Sequence, residues 1–403
     1  MKKILLLGGS AQQVIAIKKA KELGYYTIVC DYLDDNPGQN YADKFYLAST
    51  TDKEVILEIA RIENIDGILA YASDPAAPTA AYVSEKLNLP GNPYKSVDIL
   101  CNKDKYRKFL AKNGFNTPKS KGYSNVEDAL CDIRNNVYKL PVMVKPVDSS
   151  GSKGVSMLDK QDEMRERINL ALSYSKSKRI IIEEFVESFG FQVAGDGLSI
   201  NGNLKFRYFA NDHFNKDAEN PYVPISASFP YNMPQEIHDK IHSEIQRLIT
   251  LLKMKDSTYN FDIRINRNLD VFLMEVAPRS GGNYIPQVIK YATGVDMLDY
   301  AIRLAMGEKV DEVEISKENQ EFWSYYAIHS THNGVLKEIN INQEVLSNNI
   351  VESHIIKKPK DRVEAFKGAS SALGILIMKF DSLKSMVDMM ENSYKWITVC
   401  LEE

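Results

Sequence analysis

The sequence predicts a multidomain chain of α/β and α+β class, and three observations carry that prediction. At the N-terminus, Lys3-Ile4-Leu5-Leu6-Leu7 is a continuous apolar run, as expected of a parallel strand covered on both faces. It enters the small-residue turn Gly8-Gly9-Ser10, then a helical face set by Val14, Ile15, Ile17 and Ala20, and a second strand over 27–31 completes a βαβ unit. In the middle, the apolar run 142–147 opens into Asp148-Ser149-Ser150-Gly151-Ser152-Lys153-Gly154 before 155–158 resumes a strand pattern. Further on, strands over 261–265 and 271–276 flank Asn266-Arg267-Asn268, which reads as a hairpin.

The N-terminal unit has an acid, Asp31, about twenty residues after its turn, close to a dinucleotide fingerprint. The turn lacks the third glycine of that fingerprint, which counts against nicotinamide binding. Strand, helix and strand are expected to continue over 67–70, 80–87 and 89–91. Asn102-Lys103-Asp104 opens an amphipathic helix with Tyr106, Phe109 and Leu110 on one face, and Gly114 with Thr117-Pro118 ends it.

The loop 148–154 is not a P-loop, since Gly-x-x-x-x-Gly-Lys-Ser/Thr is absent and a strand follows it. Its glycines and serines let the backbone approach an anion closely, with Lys145 at its mouth as a point charge for phosphate. The run 179–187 is an apolar strand that turns acidic at Glu183-Glu184. Beside the aromatic Phe185, its backbone can meet a purine edge, or the strand simply emerges into solvent.

In the hairpin, Asp262 and Glu275 stand 13 positions apart, with Arg279 four beyond. Two carboxylates facing across a ladder make an oxygen-rich site suited to Mg²⁺; the alternative is a surface hairpin with two solvated acids. Beyond Gly282, helices are expected over 288–292 and up to Leu304, a linker over 309–320, and a final module with strands at 322–329, 334–336, 374–380 and 397–399 and a helix over 382–390. His329 and His332 read as structural.

A length of 403 residues suits two to four domains, and a net charge of −4 gives no footprint for nucleic acid. Cys30, Cys101, Cys131 and Cys400 lack pairing or metal spacing, which suits a reducing, cytoplasmic setting. Lys2-Lys3 precede only four apolar residues, too few for a signal peptide, and no run approaches a membrane span.

Taken in order, Lys103, Lys145, the loop 148–154, Glu183-Glu184-Phe185-Val186, Asp262, Glu275 and Arg279 resemble the ATP-grasp superfamily, in its carboxylate–amine ligase branch. That branch holds phosphoribosylglycinamide synthetase, purine-pathway carboxylate ligases, biotin carboxylase and L-amino acid ligases. The resemblance implies a Rossmann-like pre-ATP-grasp domain over 1–100, an ATP-grasp domain of two half-domains over 101–308 with a lid at about 140–205, and a small C-terminal α+β domain over 309–403. It implies that Lys103 and Lys145 hold the ATP phosphates and that Ser149, Ser150, Gly151, Ser152 and Gly154 close over them. Glu183, Glu184, Phe185 and Val186 would receive adenine, and Glu187 the ribose in place of the family's Gly-x-Glu acid. Asp262 and Glu275 would carry Mg²⁺, with Mn²⁺ as the alternative ion. Arg279 and Lys145 would act on the transferring group. Gly9, Ser10, Arg279, Ser280, Gly281 and Gly282 would meet the acceptor substrate. One departure is Ala277, where the family usually has an Asn ligand.

The resulting expectation is an ATP-dependent ligase joining a small-molecule carboxylate to an amine through an acyl phosphate, with no nucleic-acid or membrane partner and a homodimer as the usual assembly. A purine-biosynthesis ligase such as phosphoribosylglycinamide synthetase is the alternative within the class. A non-catalytic ATP-binding regulator and an NAD(P)-dependent dehydrogenase are the readings from other classes, and the dehydrogenase has no use for the central and hairpin arrays.

Overall fold

The computed structural model describes residues 1–315 and 321–402. Its N-terminal sheet has four parallel strands in the order Lys44–Leu47, Tyr26–Asp31, Lys3–Leu7, Gly67–Leu69. Alternate side chains of the first strand serve two cores, as the period of two requires. Ile4 and Leu6 pack with helix Val14–Glu22 and with Leu298 and Ile302 of helix Met297–Ala305. Leu5 and Leu7 pack with helices Lys53–Glu63 and Ala77–Leu87 on the other face. A helix from late in the chain thus closes the first sheet. Gly67 is required at that contact, because a Cβ there would lie 2.3 Å from the carbonyl oxygen of Ala305.

The expected strand at 89–91 does not form. Helix Ala77–Leu87 ends on Asn88 in the left-handed region, Leu89 donates back to the Ser84 carbonyl, and Pro90 has no N–H to offer a ladder. Strand Lys44–Leu47 and helix Lys53–Glu63 lie outside the elements expected above.

A second sheet of eight antiparallel strands forms the body, in the order Val271–Ala277, Ser257–Ile265, Val193–Ile200, Asn203–Phe214, Pro224–Phe229, Phe322–Ile328, Gly374–Phe380, Ile350–Ile355. Helix Gln235–Leu251 covers one face with Ile237, Ile241, Ile245, Leu248 and Ile249, a stripe at helical spacing. Helix Ile285–Thr293 and Met386 and Met390 of helix Leu383–Glu391 cover the other. The C-terminal section therefore extends the large sheet, and strands Arg362–Val363, Gly334–Ile341 and Ile397–Leu401 make a small sheet beside it. The expected linker 309–320 has no regular element over 309–315, and 316–320 lie outside the described residues.

A third sheet of four antiparallel strands, in the order Ser120–Tyr123, Ile180–Glu184, Val142–Pro146, Ser156–Leu158, is backed by helices Val126–Arg134 and Met164–Tyr174. It has its own core, with Val142, Val144, Ile180 and Ile182 facing Leu130, Ile133 and Ile168. Its limits differ from the expected lid at 140–205. The sheet starts at Ser120, and Val193–Ile200 belongs to the large sheet, because the chain crosses between sheets at the 185–192 turn.

Filling the Gly67 contact tests how tightly the first sheet is bound to the body. Gly67→Val should lower the unfolding free energy by about 1–3 kcal/mol through overpacking, measured by urea titration. An unchanged midpoint would mean that helix Met297–Ala305 shifts away at no cost.

Candidate active site

The four-stranded and eight-stranded sheets face each other across a cavity of about 510 Å³. Met143, Lys145, Ser149, Ser150, Gly151, Ser152 and Phe185 line it from one side, and Gln192, Asp212, Asp262, Arg264 and Glu275 from the other, with Lys103 at one end. Asp262 lies directly opposite Glu275, through a register shift: Ile263 pairs with Leu273, so Met274 is the extra residue between the two pairs. Both acids are half-buried at the cavity wall, so the surface-hairpin alternative does not hold.

Glu183 does not line the cavity. It is 1% exposed and accepts a hydrogen bond from Arg107 Nε at 2.9 Å and another from the Lys145 ammonium. Burial acts to raise its pKa, yet Arg107 and Lys145 hold it down at about 2. Burial works the other way on Lys145, lowering its amine's pKa, with Arg107 adding to that and Glu183 opposing. Arg107 also donates to the carbonyls of Met274 at 2.9 Å and Leu273 at 3.4 Å, just before Glu275. The sequence reading missed Arg107; its one signal was a charge beside Tyr106 on the buried face of its helix.

Lys103 opens helix Lys103–Lys112, with its N–H on the Val147 carbonyl at 3.0 Å and its ammonium 2.9 Å from the Ser149 carbonyl and 3.2 Å from Glu275. Burial disfavours its charge, but Glu275 and Asp74 outweigh that and raise its pKa. The loop after Pro146 has three residues in the left-handed region: Gly151, Ser152 and Gly154. Ser152 Oγ donates to the Tyr222 carbonyl at 3.0 Å and Asn220 Nδ2 to the Ser152 carbonyl at 2.9 Å, so the loop rests on the large-sheet side of the cavity. Gly154 is off the cavity wall, packed where a Cβ would strike Tyr174 at 2.8 Å.

Phe185 stands against Arg264, whose guanidinium is 4.8 Å from its ring centre and 2.7 Å from the Val186 carbonyl. The Glu184 N–H donates to the Lys119 carbonyl at 2.9 Å, and its carboxylate accepts from the Lys139 N–H. Glu184 and Val186 flank the cavity without lining it. Glu187 is exposed and paired with Arg267 at 3.4 Å, away from the wall, which corrects its placement as a sugar ligand. The residue on that wall is Gln192, donating to Asp212 at 3.1 Å and accepting from Arg264 Nε at 2.9 Å. The Gly190-Phe191-Gln192 spacing was the available signal.

The acids suit a divalent cation. Asp262 Oδ1 is buried with no hydrogen-bond partner among the described residues, and burial, with Glu275 adding and Arg264 opposing, raises its pKa. Burial acts to raise Glu275 as well, but Lys103 and Arg279 hold it below its usual value. Among the described residues no three His, Cys, Asp or Glu groups form a ready-made cage, and the buried Ala277 side chain has no atom that could bind a metal. Two protein carboxylates fit Mg²⁺, which retains waters and takes phosphate oxygens.

Arg279 lies in a bidentate pair with Asp74, Nε–Oδ1 at 2.7 Å and Nη2–Oδ2 at 2.6 Å, the two side chains 10% and 14% exposed. Where Arg279 was expected to act on the transferring group, its guanidinium is forked by a carboxylate from the N-terminal section. Gly281 donates to Asp196 at 2.8 Å and Asn283 to Gln12 at 2.9 Å, while Ser280 is buried and a Cβ on Gly282 would lie 3.2 Å from Gln12. Asp196, which also accepts from Asn260 at 2.9 Å, is raised by burial to about 6. Gly9 and Ser10 do not line this cavity. Gly9 donates to Asp31 at 2.7 Å and Ser10 to the Gln13 amide oxygen at 3.0 Å, so Gln13 and Asp31 take the N–H groups a phosphate would need. His329 is satisfied by Ala327 and Asn215. Arg207 is paired with Asp239, and the buried His213 does not line the cavity.

A second cavity, of about 350 Å³, adjoins the first and shares Lys103, Ser149 and Glu275 with it; Asp74, Cys101, Lys176 and Ala277 form part of its wall.

Residues 109–295 match the family described as D-ala D-ala ligase C-terminus. The formate-dependent phosphoribosylglycinamide formyltransferase of Prochlorococcus marinus (strain NATL2A) is 32% identical over 189 residues, 46% of this chain and 48% of that one. The chain spans about half the length of the curated relatives it matches. An L-amino acid ligase from Bacillus licheniformis superposes over 100% of this chain and 99% of its own, with a TM-score of 0.81 at 20% identity. The biotin carboxylase domain of Hydrogenobacter thermophilus 2-oxoglutarate carboxylase, a dimer in complex with MgADP, ADP and bicarbonate, does so over 99% and 90%, with a TM-score of 0.73 at 16% identity. At those identities the likeness is one of fold. The chain has an ATP-grasp fold, as the order of its motifs implied. Within that fold, the 109–295 segment is the part similar to the D-ala D-ala ligase C-terminus.

The Glu183 cluster has a pH signature. Its carboxyl has a lower pKa folded (about 2) than unfolded (4.5), so its stabilisation is complete above the unfolded value and is lost as pH falls through the folded one. On the order of 3 kcal/mol should disappear across that window. Glu183→Gln should start about 3–5 kcal/mol less stable at neutral pH, with two buried cations left unpaired, and should lack that part of the acid slope. Urea unfolding at a series of pH values measures both, and superimposable slopes would contradict it.

Proposed function

We propose that the protein is an ADP-forming ligase that uses Mg-ATP to phosphorylate a small carboxylate and then joins it to an amine. The observation that carries this reading is the shared edge of the two cavities. Lys103, Ser149 and Glu275 border both, so the phosphate end of a nucleotide in the larger cavity would lie where a second substrate could meet it.

In this reading the base lies against Phe185 and the backbone at 184–186. The phosphates run toward Lys103 and Lys145 under the loop 149–152, and Asp262 and Glu275 hold Mg²⁺, with Mn²⁺ as the alternative ion. An ion held by Asp262 and Glu275 would supply positive charge against the charge of the phosphates. Lys145, kept in place by Glu183, and Lys103, kept by Glu275, orient the γ-phosphoryl group. A carboxylate oxygen in the second cavity attacks phosphorus in line and ADP leaves. The amine then attacks the acyl carbon and phosphate departs, forming the C–N bond. Arg279 supports that cavity by holding Asp74 at its wall.

Residues 1–100 would serve as an acceptor-side domain, 101–308 as the ATP-grasp unit and 309–403 as its C-terminal buttress. A homodimer and a cytoplasmic setting go with this reading; among the described residues no helix is long and apolar enough to cross a membrane.

A phosphoribosyl acceptor is the second reading, favoured by the substrate in the formyltransferase's name. The second cavity presents Lys103 and Lys176 alongside Asp74, Asp148 and Glu275, a balance that suits a small zwitterion or acid better than a sugar phosphate.

Magnesium-dependent phosphate release from ATP, scanned over amino acids, small acids, bicarbonate and phosphoribosylamine, tests this. One acid–amine pair should stimulate release, and Glu275→Ala should reduce it at least about 100-fold. Tight Mg-ATP binding with silence across the panel would favour a regulatory binder, with Ala277 as its structural basis.

A further inference from the structure

The last helix of the chain reaches the larger cavity. Glu391, the final residue of helix Leu383–Glu391, lines that cavity and is 50% exposed. Its Oε1 is 2.6 Å from Nδ1 of the buried His213, and His213 Nε2 is 2.8 Å from Ser228 Oγ. Asn211 Nδ2 donates to that same Ser228 oxygen at 3.1 Å, so the hydroxyl proton points to Nε2. The ring therefore carries its proton on Nδ1 and donates to a carboxylate that can only accept. Asn211, Ser228 and His213 are all buried, and together they fix one carboxylate at the cavity wall.

Its position along the cavity is set by the neighbours of His213. The His213 ring packs on Phe191, centroids 5.0 Å apart, and Phe191 and Gln192 line the cavity just after Phe185. Glu391 is thus joined through His213 to the Phe191 and Gln192 section of the wall, which follows the aromatic Phe185 in the chain. An anion there would repel phosphate but accept from neutral O–H donors. On the same wall Gln192 spends its amide on Asp212 and Arg264, and Lys216 contributes a positive charge near Glu391. Hydrogen bonding to His213 and the charge of Lys216 keep the Glu391 carboxyl below its usual pKa, hence ionised.

We propose that Glu391, positioned by His213, accepts a hydrogen bond from a sugar hydroxyl of the bound nucleotide, so that the C-terminal helix selects for a ribonucleotide. This rests on the nucleotide reading above. No motif around 183–192 supplies that carboxylate, since Glu187 faces Arg267 outside the cavity.

Calorimetric titration of the full chain with ATP, 2′-deoxy-ATP and 3′-deoxy-ATP, each with Mg²⁺, tests it. Wild type should bind ATP about 10- to 100-fold more tightly than one of the deoxy forms, as expected for a hydrogen bond to a charged group. Glu391→Ala should bind ATP as weakly as that deoxy form while leaving the deoxy affinity unchanged. Glu391→Gln, which keeps the shape and a bond to His213, guards against local collapse and should show reduced selectivity. His213→Ala should lower the same ratio, which a loss of stability alone leaves intact. Retained selectivity in Glu391→Ala, equal weakening of all three nucleotides, or a wild type that binds all three alike would overturn the proposal. A wild type that binds none of them would instead overturn the nucleotide reading.

Discussion

Much of the site depends on one buried carboxylate. Glu183 sits on a strand of the four-stranded sheet, meets Arg107 from helix Lys103–Lys112, and holds the ammonium of Lys145. Arg107 continues to the carbonyls of Leu273 and Met274, so the same charge network fixes the hairpin that carries Glu275. Removing three ionised groups from water is expensive, and the arrangement holds only because their hydrogen-bonding capacity is used within it. What that cost secures is geometric: the lysine at the glycine-serine loop, the lysine at the helix start and the acids of the hairpin cannot drift independently.

The pair Asp74–Arg279 performs a similar office between the first sheet and the body. It is joined by the contact of Gln12 with Asn283 and by the packing of helix Met297–Ala305 on the N-terminal strands. The smaller cavity is thus walled by residues from both ends of the 1–308 stretch. Its shape depends on how these parts dock as well as on the residues that line it.

The legible parts of the chain were the local ones. The hairpin could be read from its short connection and its period of two, but an unbroken ladder from Ile265 and Val271 would set Asp262 against Met274, and it is a bulge that brings Glu275 opposite. The loop 148–154 announced itself through glycines that take left-handed backbone. Arg107, Asp74 and Asp196 were not legible, since each acquires its meaning from a partner at least 64 positions away. Gly9 and Ser10 misled because a neighbouring side chain, Gln13, occupies the turn that a bare glycine pattern suggests is open. Glu187 misled because the strand ends at Glu184 and the chain then turns its acid outward. The extension of the large sheet by the C-terminal strands was equally hidden, since Ser226 and its partner Tyr326 stand 100 positions apart.

That pairing has a consequence for how such chains can diversify. Strand Pro224–Phe229, with Ile225, Ala227 and Phe229 buried, is sealed along one side by Phe322–Ile328. Without that neighbour it would be a bare apolar edge, the kind of surface that recruits other chains into fibres and aggregates. The C-terminal section is therefore not an ornament that recombination can trade freely between homologues. Any replacement must bring a strand of matching length and register, so this half of the molecule is inherited together with the sheet it completes.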